Sequence, residues 1–209
     1  MYKFPIIVFE GIEGTGKSFH IKNIQKYFIK KKIKFVKFRE PGGSKNSEKI
    51  RNFILNNKSN YKGLTDLFMY MAARNENYHN IIKKYYKKRV ILIDRFTDST
   101  LAYQHYGMGI DKKLILNLNK IILKKIKPNF TFVNTVNMKN LKYRINNRRK
   151  NRYDKFNTKF YNKVQKGFIK LSKNKKNYMI INSNLSIFEN KSKIINKVKS
   201  LISIWTLSP

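Results

Sequence analysis

Apolar and polar positions alternate along this chain in a regular order of short buried runs and longer amphipathic ones. Pro5 to Phe9 is an apolar run that reads as a buried strand, and Phe19 to Ile29 has helical spacing. Ile33 to Phe38 predicts a second strand, Ser47 to Leu55 a helix, and Leu64 to Tyr86 a helix long enough to cross a domain. Arg89 to Ile93 predicts a third strand, Leu114 to Ile126 a helix, and Phe130 to Thr135 a fourth strand. Leu141 to Arg149 and Lys159 to Leu171 read as helices, Tyr178 to Asn182 as a fifth strand, and Ile187 to Ile202 as a closing helix. Strands alternating with helices, without hairpin turn signals, predict a five-stranded parallel sheet flanked by helices with right-handed crossovers. No Pro/Gly/Ser-rich linker divides the 209 residues, so a single α/β domain over 1–209 is expected.

The chemistry gathers where strands end. Gly11-Ile-Glu-Gly-Thr-Gly-Lys17-Ser18 is a complete G-x-x-x-x-G-K-[ST] loop between the first strand and the first helix, the context that a phosphate-binding loop requires. Gly11, Gly14 and Gly16 let backbone amides approach an anion where a Cβ would clash. Ile12, Glu13 and Thr15 complete the ATP-binding loop, Lys17 reaches the β and γ phosphates, and the Ser18 hydroxyl suits Mg2+. The second strand ends in Arg39-Glu-Pro-Gly-Gly43, and the third in Asp94-Arg95-Phe96-Thr97-Asp98-Ser99-Thr100. Ligands collect at such carboxyl ends in open α/β sheets. Arg95 is a better phosphate clamp than a surface lysine, because a guanidinium forks two oxygens and stays charged. Asp94 ends its strand as a Walker-B carboxylate does, to hold Mg2+ through water or to orient Arg95.

Composition changes the picture in one respect. Lys plus Arg number 47 against 11 Asp plus Glu, a formal net charge of +36. Such a balance suggests nucleic acid, but the lysines are spread over the whole chain beside abundant Asn and Ile, so drift on solvated faces is the simpler reading, with any RNA or DNA binding nonspecific. The absence of Cys excludes disulfides and thiolate catalysis, and three scattered histidines argue against structural zinc. The first twenty residues hold a strand and a loop rather than a signal pattern, and no run of about 18 apolar residues occurs, so a cytoplasmic protein without membrane association is expected.

Three segments in order, Phe9 to Ser18, Arg39 to Gly43 and Asp94-Arg-Phe-Thr-Asp-Ser-Thr-Leu-Ala-Tyr-Gln104, resemble bacterial thymidylate kinases. Tyr70-Met-Ala-Ala-Arg74, Arg152-Tyr-Asp, Phe160, Tyr161 and Gly167-Phe168 extend the resemblance over essentially the whole chain. It implies a three-layer P-loop NTPase fold and a dTMP kinase that uses MgATP, with Lys17 and Arg95 on the phosphates. Glu13 would accept from the acceptor's 3′ hydroxyl or assist the metal. The dTMP site would comprise Arg39, Pro41, Tyr70, Arg74, Arg95, Ser99, Thr100, Tyr103 and Gln104. Tyr70 would stack on the pyrimidine, Arg74 donate to its carbonyl, Thr100 and Gln104 bond its amide edge, and Tyr103 press where a 2′ hydroxyl would sit. The Arg-rich stretch over about 144–156 matches the family's lid, which would bring arginines to the γ phosphate, Arg148 and Arg152 being favoured for catalysis over Arg144 and Arg149. Relatives dimerise, so a homodimer is implied. The family's acidic positions around the lid and fourth strand are Asn151, Asp154, Asn129, Thr135 and Asn137 here. Two other functions remain open: a kinase for another nucleotide, and a basic P-loop protein that binds nucleic acid without catalysis.

Overall fold

A computed structural model describes residues 4–146 and 151–206. Five strands, β1 (Ile6–Glu10), β2 (Phe35–Arg39), β3 (Val90–Asp94), β4 (Phe130–Thr135) and β5 (Tyr178–Asn182), form one parallel sheet in the order β2-β3-β1-β4-β5. The central strand reads as an unbroken apolar run because both faces are covered. Ile7 and Phe9 join Leu92 and Phe132 beneath helices α1 (Lys17–Lys30) and α9 (Ile187–Thr206), against Ile24, Phe28 and Val198. Ile6 and Val8 face the other way, with Ile91, Ile93, Phe96 and Leu123. Side chains that alternate between faces thus divide the interior into two apolar layers around the sheet.

The register aligns the ends that carry chemistry. Phe9 and Arg39 both sit opposite Asp94, and Glu10 sits opposite Val133, so β1, β2 and β3 deliver Gly11, Glu40 and Arg95 to one edge. Helices α2 (Lys45–Leu55) and α3 (Gly63–Asn77) stand beside that edge. The long predicted helix over 64–86 is instead α3, a π-helical turn at Tyr78–Ile82 and a short α4 (Lys83–Tyr85). The polar cluster after β3 also coils, as α5 (Thr97–Thr100) followed by a π-helical segment, Leu101–Gly107. There Gly107 and Gly167 admit the rings of Phe160 and Tyr106, and a Cβ on either would lie 2.6 to 2.7 Å from a ring carbon. The chain continues through α6 (Lys112–Leu123), α7 (Met138–Asn146), a 3-10 turn at Arg152–Lys155 and α8 (Thr158–Ser172). Among the described residues no helix is long and apolar enough to cross a membrane.

Candidate active site

The loop after β1 turns on three glycines held at positive φ. Gly11 has φ +127°, and a Cβ there would meet the Asn134 carbonyl oxygen at 2.2 Å. Gly16 has φ 78° and opens α1 with no side-chain cap, and such an uncapped helix start is a ready site for an anion. Lys17 curls over the loop: its ammonium donates to the carbonyls of Gly11 (2.9 Å) and Ile12 (2.8 Å). Burial, with Arg95 nearby, pushes its pKa down to about 8. Ser18 is exposed, while Asp94 Oδ1 is buried and makes no hydrogen bond within the protein.

Arg95 joins the loop to a neighbouring cavity. Its backbone is left-handed at φ 66°, which turns the side chain back across the end of β1. The guanidinium donates to the Gly11 carbonyl (2.8 Å) and Ser99 Oγ (3.4 Å), pairs with Glu13 (2.9 Å), and lies 5.4 Å from the Tyr103 ring centroid. Glu13 pairs with Arg95 directly, and the nearby Asp94 carboxylate adds its charge. The Glu13 carboxylate also accepts from the Tyr103 hydroxyl. Burial works against its charge, but Arg95 and Lys17 outweigh it and hold the carboxyl below the usual range. Glu10 organises the turn: it accepts from the backbone N–H of Phe96 (2.8 Å) and Ser99 (3.2 Å) and from the Ser99 hydroxyl. Its own pKa is pushed up to about 7, chiefly by burial and then by the charge of Asp98.

Pro41, Tyr70, Arg95, Ser99, Tyr103 and Gln104 line the cavity, six of the nine residues expected around an acceptor. The other three do not. Arg39 is an exposed partner of Glu48 (3.0 Å). Thr100 is buried, and its hydroxyl has no partner. Arg74 was expected to present its guanidinium beside the Tyr70 ring, yet it is 1% exposed and stands behind the wall. Its Nε donates to Glu40 (2.8 Å) and Nη1 to Asn119 (2.6 Å). The reason is electrostatic, since Glu40 is itself buried and needs a positive partner there. The lining also holds Glu40, Arg51, Leu55, Asn151 and Tyr153, none of them expected at the acceptor from sequence. Arg51, whose guanidinium donates to the Pro41 carbonyl (2.7 Å), was hidden because one more cation on an amphipathic, lysine-rich helix carries no local signal.

The lid arginines separate. Arg144 belongs to the phosphate loop, donating to the carbonyls of Gly14 (2.8 Å) and Ser183 (3.0 Å). A second cavity lies beside it, lined by Thr15, Gly16, His20, Leu185 and Asn190. Burial pushes the His20 pKa down to about 4, so the ring is neutral there, and its Nδ1 has no partner. Arg152, expected over the phosphates, instead pairs with Asp66 of α3 and lies 5.2 Å from the Tyr61 ring centroid. Asp66 is 1% exposed, and Arg152 and the Tyr153 hydroxyl together satisfy its two oxygens. Arg148 and Arg149 lie outside the described residues.

No group of three or more His, Cys, Asp or Glu side chains converges among the described residues, so any metal here would draw most of its ligands from phosphate and water. The buried, unpartnered Asp94 Oδ1 and the Ser18 hydroxyl fit such a hard cation.

Comparison with known proteins gives the family. Residues 9–194 match the thymidylate kinase family. A thymidylate kinase from Wolbachia of Brugia malayi is 36% identical over 199 residues, covering 92% of this chain and 94% of its own. One from Prochlorococcus marinus strain AS9601 is 35% identical over 208 residues, covering 96% of each. The crystal structure of thymidylate kinase from Ehrlichia chaffeensis superposes with a TM-score of 0.76 at 30% identity, covering 93% of this chain and 98% of its own. With a family match over residues 9–194 and relatives at 35 to 36% identity covering more than nine-tenths of it, the chain belongs to the thymidylate kinase family.

Proposed function

We propose that the chain transfers the γ-phosphoryl group of MgATP to the phosphate of dTMP, directly and in line, giving ADP and dTDP. The observation that carries this reading is the position of Arg95, whose guanidinium bonds a phosphate-loop carbonyl on one side and residues of the cavity wall on the other. A group so placed can contact both polyanions. Transfer between them needs little covalent help from the protein, so positioning and neutralisation of charge are the whole task. Lys17 and the α1 N–H groups hold the donor phosphates. Arg95 spans donor and acceptor, and Glu13 with Ser99 fixes its orientation. Ser18 and Asp94 would hold Mg2+, which would supply charge neutralisation on the donor phosphates.

The acceptor base fits the cavity's polarity. The Tyr70 ring offers a stacking face, and Gln104 Oε1 is a buried acceptor with no partner in the protein, suited to the ring N–H of thymine. Tyr103, tied to Glu13, closes the sugar side and favours deoxyribose. Arg74 acts from behind by fixing Glu40. The cavity of Arg144 and neutral His20 accepts the donor base, and Arg152 anchors the 151–155 turn to α3. Exposed Leu64 and Phe68, one turn apart on α3, would supply apolar surface for a homodimer. Incubation with ATP labelled at the γ position tests the reaction: label is expected in dTDP and in no protein adduct, and a labelled protein intermediate would contradict direct transfer.

A further inference from the structure

A third cavity lies along α6, bounded by α5, the 124–128 turn and the start of β5, with a volume of about 870 Å³. It is large enough for a mononucleotide. Leu101, Leu116, Leu123 and Leu171 make its apolar wall, and six lysines, Lys120 and Lys124 among them, stand around it. Its polar residues are of two kinds. Asn119 is 7% exposed; its Oδ1 accepts from Arg74, and its Nδ2 makes no hydrogen bond within the protein. Asp98 is 8% exposed and adds a carboxylate, whose Oδ2 accepts from the Tyr178 hydroxyl (2.8 Å). One buried donor and one buried acceptor on an apolar wall, under a cationic rim, match a ligand with a flat polar edge and a polyphosphate tail.

Asn119 also connects this cavity to the first one. Asn119 Oδ1 accepts from Arg74 Nη1 at 2.6 Å, and Arg74 Nε donates to Glu40 Oε2 at 2.8 Å. Glu40 lines the Arg95 cavity. Arg74 and Glu40 are 1% and 4% exposed, so the relay runs entirely through the interior. A ligand that accepts from Asn119 Nδ2 pulls on the residue that holds Arg74, and Arg74 in turn holds the acceptor wall.

We propose that this rear cavity is a second nucleotide site, taking a nucleoside triphosphate with its base against Asn119 and Asp98 and its phosphates among the lysines, and that it is coupled to the acceptor cavity through Asn119, Arg74 and Glu40. The test is equilibrium binding of ATP, without acceptor and at about 0.15 M salt, where the screening length is about 8 Å. The wild-type protein is expected to bind about two equivalents. Lys17→Ala should lose the equivalent at the phosphate loop and keep the other, whereas the double variant Lys120→Glu, Lys124→Glu should do the reverse with unchanged basal turnover. Inorganic tripolyphosphate should occupy the rear site at least about tenfold more weakly, because it leaves the buried Asn119 and Asp98 groups unpaired. A single equivalent on the wild type, a second one indifferent to the double variant, or tripolyphosphate binding as well as ATP would each overturn the site. This count does not depend on the kinase reading, so the two fail separately. The coupling is read as a few-fold change in KM for dTMP, at constant kcat, over the ATP range that fills the second site. An unchanged KM there, or a change that persists in the double variant, would overturn the relay.

Discussion

At the residue scale, Arg95 bears the main chemical weight. Its charge is expected to meet developing negative charge in a site drier than water, where losing one such donor costs roughly 3 to 4 kcal/mol. Arg95→Ala should therefore lower kcat about a hundredfold to a thousandfold with an unchanged circular dichroism spectrum, and near wild-type turnover would remove Arg95 from the mechanism. Lys17 makes a prediction about pH. Because its pKa in the folded protein is held down to about 8, the ammonium loses its proton as pH rises through that value. The kcat/KM for ATP, which reports the free enzyme, should fall above about pH 8, while kcat at saturating ATP persists to higher pH because bound phosphate favours the charged form. The same shift has a stability consequence. Between about 8 and the ordinary value of 10.5, the unfolded chain binds more protons than the folded one, so this lysine's contribution makes stability rise with pH across that window. A flat kcat/KM for ATP from pH 7 to about pH 10 would contradict the Lys17 assignment.

At the element scale, each glycine turn and each anchored segment has its own signature. A Cβ at Gly11 cannot coexist with the Asn134 carbonyl, so Gly11→Ala must displace β4 or the loop, and both Tm and ATP binding should drop. Gly109, at φ 81° with nothing within 4 Å of its would-be Cβ, is the control. There Ala meets only the left-handed backbone cost of about 1 to 2 kcal/mol, and turnover should be unaffected. Equal losses of activity in the two variants would contradict the loop's role. Arg152 separates two accounts of the lid. If it anchors the 151–155 turn through Asp66, Arg152→Ala should lower Tm and raise KM for dTMP with kcat within a few-fold of wild type. A hundredfold loss of kcat would return Arg152 to the phosphates. The strands, the phosphate loop and the end of β3 were all legible in the sequence, since each is an apolar run followed by a motif at fixed spacing. The partners of Arg74 and Arg152 were not legible. Whether an arginine faces a ligand or a buried carboxylate depends on Glu40 and Asp66, which lie 34 and 86 residues away in the chain.

At the scale of the whole molecule, the formal charge of +36 is the property that local structure explains least. If it is drift, binding to RNA or DNA should be independent of sequence and should fall steeply as salt rises, because it comes from counterion release. Turnover should respond less, since the site's phosphates are held by short, partly buried contacts. Salt titration of both properties on one preparation checks this, and tight, salt-resistant binding to one nucleic acid would contradict it. The fold itself could be read from the order of strands and helices, but the cavity's full lining could not, because Arg51 and Tyr153 are brought to it by the packing of α2 and the 152–155 turn. In the proposed function this cavity selects dTMP as acceptor for MgATP. The most direct test is ADP release in the presence of each nucleoside monophosphate in turn. The highest kcat/KM is expected for dTMP, with dCMP, dGMP and the ribose form of the thymine nucleotide each far below it; equal values for dCMP and dTMP would contradict selection by this cavity.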